Sequence, residues 1–314
     1  MTKFVFDRSE GAAINNMKIY FRVSAVLAFL ATALRSVSFF TSFDADIGYF
    51  DGSFLPTAAH WLMVLACIFA ITGIFFINKN AQLPRALSSS RNSVFFASVF
   101  AGFIMAADFA YKLFTMIGEE RFEYYAFIFQ KGYRAENAYL IRASAVIEIL
   151  GALSSLLAAA WFFVRASKKQ HRVLCAALGF FPIIRALSGV AAVYFDMNIQ
   201  MNHPSKLVLQ FALISVMFCL LSEQRFFVSE EHPRPRRYFI SGCIAFVLGI
   251  STGASEMVGF FCGKLSKGDF CVEAFFCLAV GIYILVRTYS FFKDAESPAV
   301  AEEKEETSET AAVE

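Results

Sequence analysis

Eight long apolar stretches dominate this 314-residue chain, at roughly 19–40, 58–77, 93–117, 141–164, 173–195, 207–227, 238–261 and 270–289. A helix needs about 20 largely apolar residues to cross about 30 Å of hydrocarbon. Barrel strands would instead show segments of about ten alternating residues, and these runs are continuous. The sequence therefore predicts an all-α polytopic membrane protein with about eight transmembrane helices in a lipid bilayer. The sixth stretch is the least clean, because Glu223 and Arg225 sit where the interface should begin. Composition agrees: 58% of residues are hydrophobic and 17% charged, against about 45–50% and 25% in soluble domains. This excludes a disordered chain, a nucleic-acid binder and an ordinary cytosolic enzyme.

Lys and Arg set the orientation. With residue 1 inside, the inside segments carry seventeen basic residues and the outside segments six. The first outside loop, TSFDADIGYFDGSFLP, has three Asp and no basic residue. Both termini are expected in the cytoplasm, a bacterial plasma membrane being a plausible setting. Residues 1–18 read as a short polar segment, 19–292 as the membrane domain and 293–314 as an acidic tail. From Lys293 onward there are two basic and eight acidic residues. With no aromatic residue and little that could pack, such a tail is expected to stay disordered. No processed signal and no lipidation motif is expected, and Met17 is an alternative start. Cys262 and Cys271 flank the loop GKLSKGD and could bridge it in an oxidising space; two free thiols are the simpler expectation.

Self-similarity recurs at a fixed offset. Arg22, Arg35 and Ser38 reappear as Arg172, Arg185 and Ser188, 150 positions later, while Pro56 and Asp108 have Pro204 and Glu256, 148 later. Two parallel four-span repeats would produce this pattern. So, in part, would chance alignment of apolar runs that start with interfacial Arg.

A charge at bilayer depth costs at least about 2.5–3.5 kcal/mol on insertion scales, so each one needs a reason. The candidates for a solute-binding or buried charge cluster are Arg35, Asp108, Lys112, Glu148, Arg185 and Glu256. Arg35 lies 16 residues into its span, roughly 24 Å deep. By the same reckoning all six fall at mid-depth or in the outer half, and the inner half is expected to be nearly free of charge. Asp108 and Lys112, at i and i+4, can neutralise each other. Arg35, Glu148, Arg185 and Glu256 lack a partner on their own helices, which predicts pairing between helices, for example Arg35 with Glu256 or Glu148. Glu256 and Glu273 also read as interfacial, and Arg22 and Arg142 as snorkelling from span ends.

Other features point to architecture. The stretch GEERFEYYAFIFQKGYRAENAYL suits an interfacial helix. Pro182 could kink the fifth span close to Arg185. GISTGASEMVG offers a small-residue face for close helix packing. The four His residues are scattered without metal-ligand spacing, and no nucleophile elbow or phosphate loop is present. No enzyme, metal or cofactor is expected. Two functions stay open: a transporter or permease-like binder of a small polar or anionic solute, with Arg35 and Arg185 as anion contacts and the acids as counter-charges or proton carriers, and a non-transporting subunit, sensor or assembly partner whose charges only lock the bundle.

Overall fold

The computed structural model describes residues 2–44, 49–76, 92–130, 138–167, 172–195, 204–228, 235–265 and 269–295. The acidic tail beyond 295 and the basic segments 78–91 and 168–171 lie outside the described residues, as does the Cys271 side chain; Cys262 is an exposed free thiol.

The described residues are all-α apart from one hairpin of two-residue strands. Ten helices are described: α1 Thr2–Thr41, α2 Phe54–Phe76, α3 Asn92–Ile117, α4 Glu119–Ile128, α5 Ala138–Ala166, α6 Arg172–Leu178, α7 Phe180–Phe195, α8 Pro204–Val228, α9 Pro235–Phe261 and α10 Asp269–Ala295. Eight segments are long and apolar enough to cross a membrane, α6 and α7 together forming the fifth. Their apolar outer faces account for the many exposed large side chains, Phe29, Phe75, Phe103 and Phe114 among them, since lipid replaces water as the favourable neighbour. α1 runs unbroken from Thr2 through the polar segment into the first span. Nothing between Thr2 and Lys18 breaks a helix except a tolerated Gly11, so the helix simply outlasts the apolar run.

Six of the spans close into a ring. In order round it, α3 packs on α5, α5 on α7, α7 on α8, α8 on α9, α9 on α10 and α10 on α3. The α1/α2 pair packs against α9, outside that circuit. Successive crossings alternate, so the starts of α1, α3 and α9 share one end of the bundle with the ends of α2, α5, α8 and α10. We call this the near face. The far face carries the hairpin β1 (Phe43–Asp44) and β2 (Tyr49–Phe50), whose Phe43 and Phe50 rings stack with Phe39 of α1. There Asp51 accepts a hydrogen bond from the Ser53 backbone N–H, and its contacts with Ser53 hold the carboxyl below the usual carboxylate range.

Two local features follow directly from sequence. The fifth span breaks at Gly179. Pro182 has no N–H for the Leu178 carbonyl and its ring presses on that carbonyl, which ends α6 at Leu178. Gln224 of α8 reaches into the break, donating to the Ala176 carbonyl, and a Cβ at Gly179 would collide with its amide. The small-residue face of α9 packs on α10. A Cβ at Gly253 would stand 2.6 Å from the Ala274 carbonyl oxygen and the Leu278 nitrogen, and one at Gly249 3.0 Å from the Cys277 carbonyl. Only glycine permits that backbone approach.

Candidate functional site

Three buried charge clusters hold the bundle, two of them inside the ring. The outer ring cluster joins four helices. Arg185 of α7 donates from Nη1 and Nη2 to Glu273 of α10, at 2.8 and 2.9 Å, and from Nε to Asp108 of α3 at 2.7 Å. Asp108 also accepts from Ser155 of α5 at 2.5 Å. Lys112 sits 3.4 Å from Asp108 and 3.5 Å from Glu273. α10 lies against α7 as well as α9 and α3, so Arg185 ties α7 to the touching α10 and, beyond its neighbours in the ring order, to α3. Its guanidinium lies over the Phe276 ring, 4.8 Å from the centroid. Two cations and two carboxylates make the cluster formally neutral. Every Arg185 nitrogen is taken by a carboxylate, and the bidentate fork is the strongest geometry such a pair can adopt. Lys112 differs: its contacts are long and its side chain is 16% exposed, whereas that of Arg185 is 0% exposed.

A second cluster joins α1, α2, α8 and α9. Arg35 donates from Nη2 to Glu256 at 2.5 Å and to Ser205 at 3.1 Å, while Nη1 is 3.2 Å from His60 Nε2. Phe50 of the hairpin covers the guanidinium, its centroid 5.6 Å away. His60 is fixed by a 2.7 Å contact from Nδ1 to the Pro56 carbonyl.

The third cluster is at the near-face end of the ring. Glu223 of α8 accepts from Tyr283 of α10 at 2.7 Å and from Arg165 of α5 at 3.3 Å, and Arg287 of α10 approaches to 3.5 Å. All four residues are buried. Phe227 and Trp161 flank the Arg165 guanidinium, with centroids 4.8 and 6.0 Å away.

Ten residues separate Ser155 from Arg165 on α5, and Glu273 from Tyr283 on α10, so the two ring clusters are about 15 Å apart along the axis. Buried aromatic groups lie between them. Phe162 meets Trp161 and Tyr283 edge-on, at 4.9 and 5.1 Å between centroids, and Phe276 lies under Arg185. The ring thus has a charged layer at each end and an aromatic barrier between them.

Of the six residues singled out from sequence, five fall into these clusters. Arg35 pairs with Glu256, one of the two partners expected. The Asp108–Lys112 pair is present, but the closer partner of Asp108 is Arg185. Glu148 joins neither arginine: it accepts from Tyr125 of α4, the helix that the aromatic loop forms beside α5. Several expectations are overturned. Glu256 and Glu273 are not interfacial but 1% and 2% exposed. Arg142 does not snorkel; it donates to the Ile128 and Gln130 carbonyls at the end of α4. The inner half is not free of charge, because Glu223, Arg165 and Arg287 are buried there together. Arg165 and Arg287 are concealed in sequence among the basic residues that mark the inside, and Glu223 lies close to a span end. Each nevertheless keeps step with its helix's buried stripe. On α10 that stripe is Glu273, Phe276, Val280, Tyr283 and Arg287, spaced by three or four residues as one helix face requires. Each Arg185 nitrogen already donates to a carboxylate, leaving one further N–H on each Nη.

Among the described residues no group of His, Cys, Asp and Glu is placed to hold a metal ion. No protein-family model, no curated protein and no solved structure matches this chain.

Proposed function

We propose that this multi-helix membrane protein is a carrier or binder of a small polar or charged solute, admitted from the far face to the outer ring cluster. One observation carries the reading: two charged layers bridge the interior of a single helix ring, with an aromatic barrier between them. Alternating access needs polar groups reachable from each side and a closed segment in the middle. Within the cluster, Lys112 is the residue that meets an anionic group of the solute, because its ammonium is partly exposed and loosely held. Arg185 positions Asp108 and Glu273 rather than touching the solute. The excess of basic residues supports a cytoplasmic near face. The recurrence at 148–150 residues belongs to the same reading: Arg35 reaches Glu256 and Arg185 reaches Asp108, each arginine of one half holding the matching acid of the other. Helix packing does not repeat in the same way, since α8 lies along α9 while α2 has no comparable contact with α3.

The engagement of every Arg185 nitrogen by a carboxylate favours a second reading, a non-transporting subunit in which the charges lock the ring. A thermal-shift panel separates the two. Purified protein in neutral detergent is heated with millimolar amino acids, small carboxylates, phosphorylated sugars and neutral sugars, alongside Lys112→Met. The carrier reading expects a saturable rise in Tm with one solute class, lost in Lys112→Met. No rise with any class, or a rise that Lys112→Met retains, supports the lock.

A further inference from the structure

The near-face cluster is unbalanced where the other two are not. Among the described residues Arg165 and Arg287 face one carboxylate, Glu223, which leaves one formal positive charge in excess among side chains 0–2% exposed. Nη1 and Nη2 of Arg287 have no hydrogen-bond partner, and neither does Nε of Arg165. A guanidinium buried with unused donors carries a desolvation penalty that a single carboxylate 3.5 Å from its Nε does not offset. The Tyr238 ring of α9 lies within electrostatic reach of both Glu223 and Arg287, so phenol and guanidinium donors converge on this end of the ring from α5, α9 and α10. A monovalent anion at Arg287 would restore neutrality and accept the unused N–H groups.

We propose that Arg287 and Arg165 form a binding site for a small monovalent anion, of the halide or simple carboxylate class, at the near-face end of the ring. Glu223, Tyr283 and Arg287 are 0% exposed and Tyr238 1%, so a headgroup trailing two acyl chains has no surface here to dock on, and only a small ion is proposed. The site is separate from the outer ring cluster and does not depend on the solute that cluster takes. An anion here would neutralise the near-face layer and hold α5, α8 and α10 together, making the stability of that end of the ring depend on the ion.

Chloride is the probe. The full-length protein in neutral detergent at pH 7.5 is melted while sodium chloride replaces sodium gluconate, an anion too large to enter, at constant sodium concentration. We expect a saturable rise in Tm of roughly 2–4 °C, the size a ligand well above its Kd gives a protein of this length. Arg287→Met removes the excess charge and is expected to give a flat response. Glu223→Gln adds to the excess and lowers the half-saturating concentration. Arg287→Lys keeps the charge but loses the planar fork, and is expected to raise half-saturation several-fold should Arg287→Met fail to fold. A flat wild-type response overturns the proposal, as does unchanged half-saturation in Arg287→Lys or a full response in Arg287→Met. A rise with short-chain phosphatidylglycerol and none with chloride would overturn the assignment to a small ion.

Discussion

At the scale of residues, buried charges in this protein are held by partners on other helices, and that decides what their removal does. Arg35→Met strands Glu256 in an apolar site; removing one partner of such a pair typically costs about 3–5 kcal/mol. The stranded carboxyl escapes the penalty by taking up a proton. Melting in detergent should therefore show a Tm deficit at pH 8 that shrinks at pH 5, and Glu256→Gln on the same background should recover much of it at pH 8. An equal deficit at both pH values would show that the arginine acts through packing. Gly189 gives a second case. Its Cβ position is occupied by the Glu273 carboxylate, with Arg185 Nη1 at 3.1 Å, so Gly189→Ala forces the ion pair apart and is expected to cost roughly 1–3 kcal/mol. A melt indistinguishable from wild type would contradict the position given for Glu273. The sequence already singles out Arg35, Glu256, Asp108 and Arg185, because a charge deep in an apolar run has no bland explanation. Glu273 and Glu223 read only as interfacial, and Arg165 and Arg287 only as inside basic residues, because they stand near span ends, where charges are ordinary. Their register with the buried stripe distinguishes them, and stripe position is obscured when a helix faces lipid on one side and protein on the other.

At the scale of elements, close contacts are set by which atoms occupy the space a side chain would need. The Cβ of Gly253→Val would meet the backbone of α10 at 2.6 Å, and backbone cannot give way without moving the helix. Gly102→Ala would meet only the Phe163 ring, at 2.9 Å, and that side chain is 38% exposed and free to swing. The first variant should lose most folded, monodisperse protein in size-exclusion chromatography, while the second stays within a few degrees of wild-type Tm. Equal behaviour would contradict the α9–α10 crossing. Span positions are legible to within a few residues, since apolar length fixes them. The α9 face is legible from its small residues, and the break in the fifth span from Pro182. The extension of α1 to Thr2 is not, because apolar periodicity is silent once a helix leaves the hydrocarbon.

At the scale of the whole molecule, alternating crossings and the distribution of Lys and Arg together predict sidedness. Cys262 is exposed at the far face, so an impermeant maleimide should label intact cells, and Cys262→Ser with Cys271→Ser should abolish the labelling. Labelling only after the cells are opened would invert the topology. Ring closure itself is not legible from sequence, because eight apolar helices can be ordered in many ways and nothing local states which acid an arginine will meet. Arg185, which joins α7 to both α3 and α10, ties that order together. The most direct test is a double-mutant cycle between Arg185→Met and Glu273→Gln, with Lys112→Met in place of Glu273→Gln as the loosely held comparison, read by reversible thermal or denaturant unfolding at pH 8. A ring closed through this bond predicts a coupling of about 1–3 kcal/mol between Arg185 and Glu273, with a clearly smaller value for Arg185 and Lys112. Additive effects of Arg185→Met and Glu273→Gln, within about 0.5 kcal/mol, would mean that the two side chains do not meet, and the charged layer across the ring would not exist.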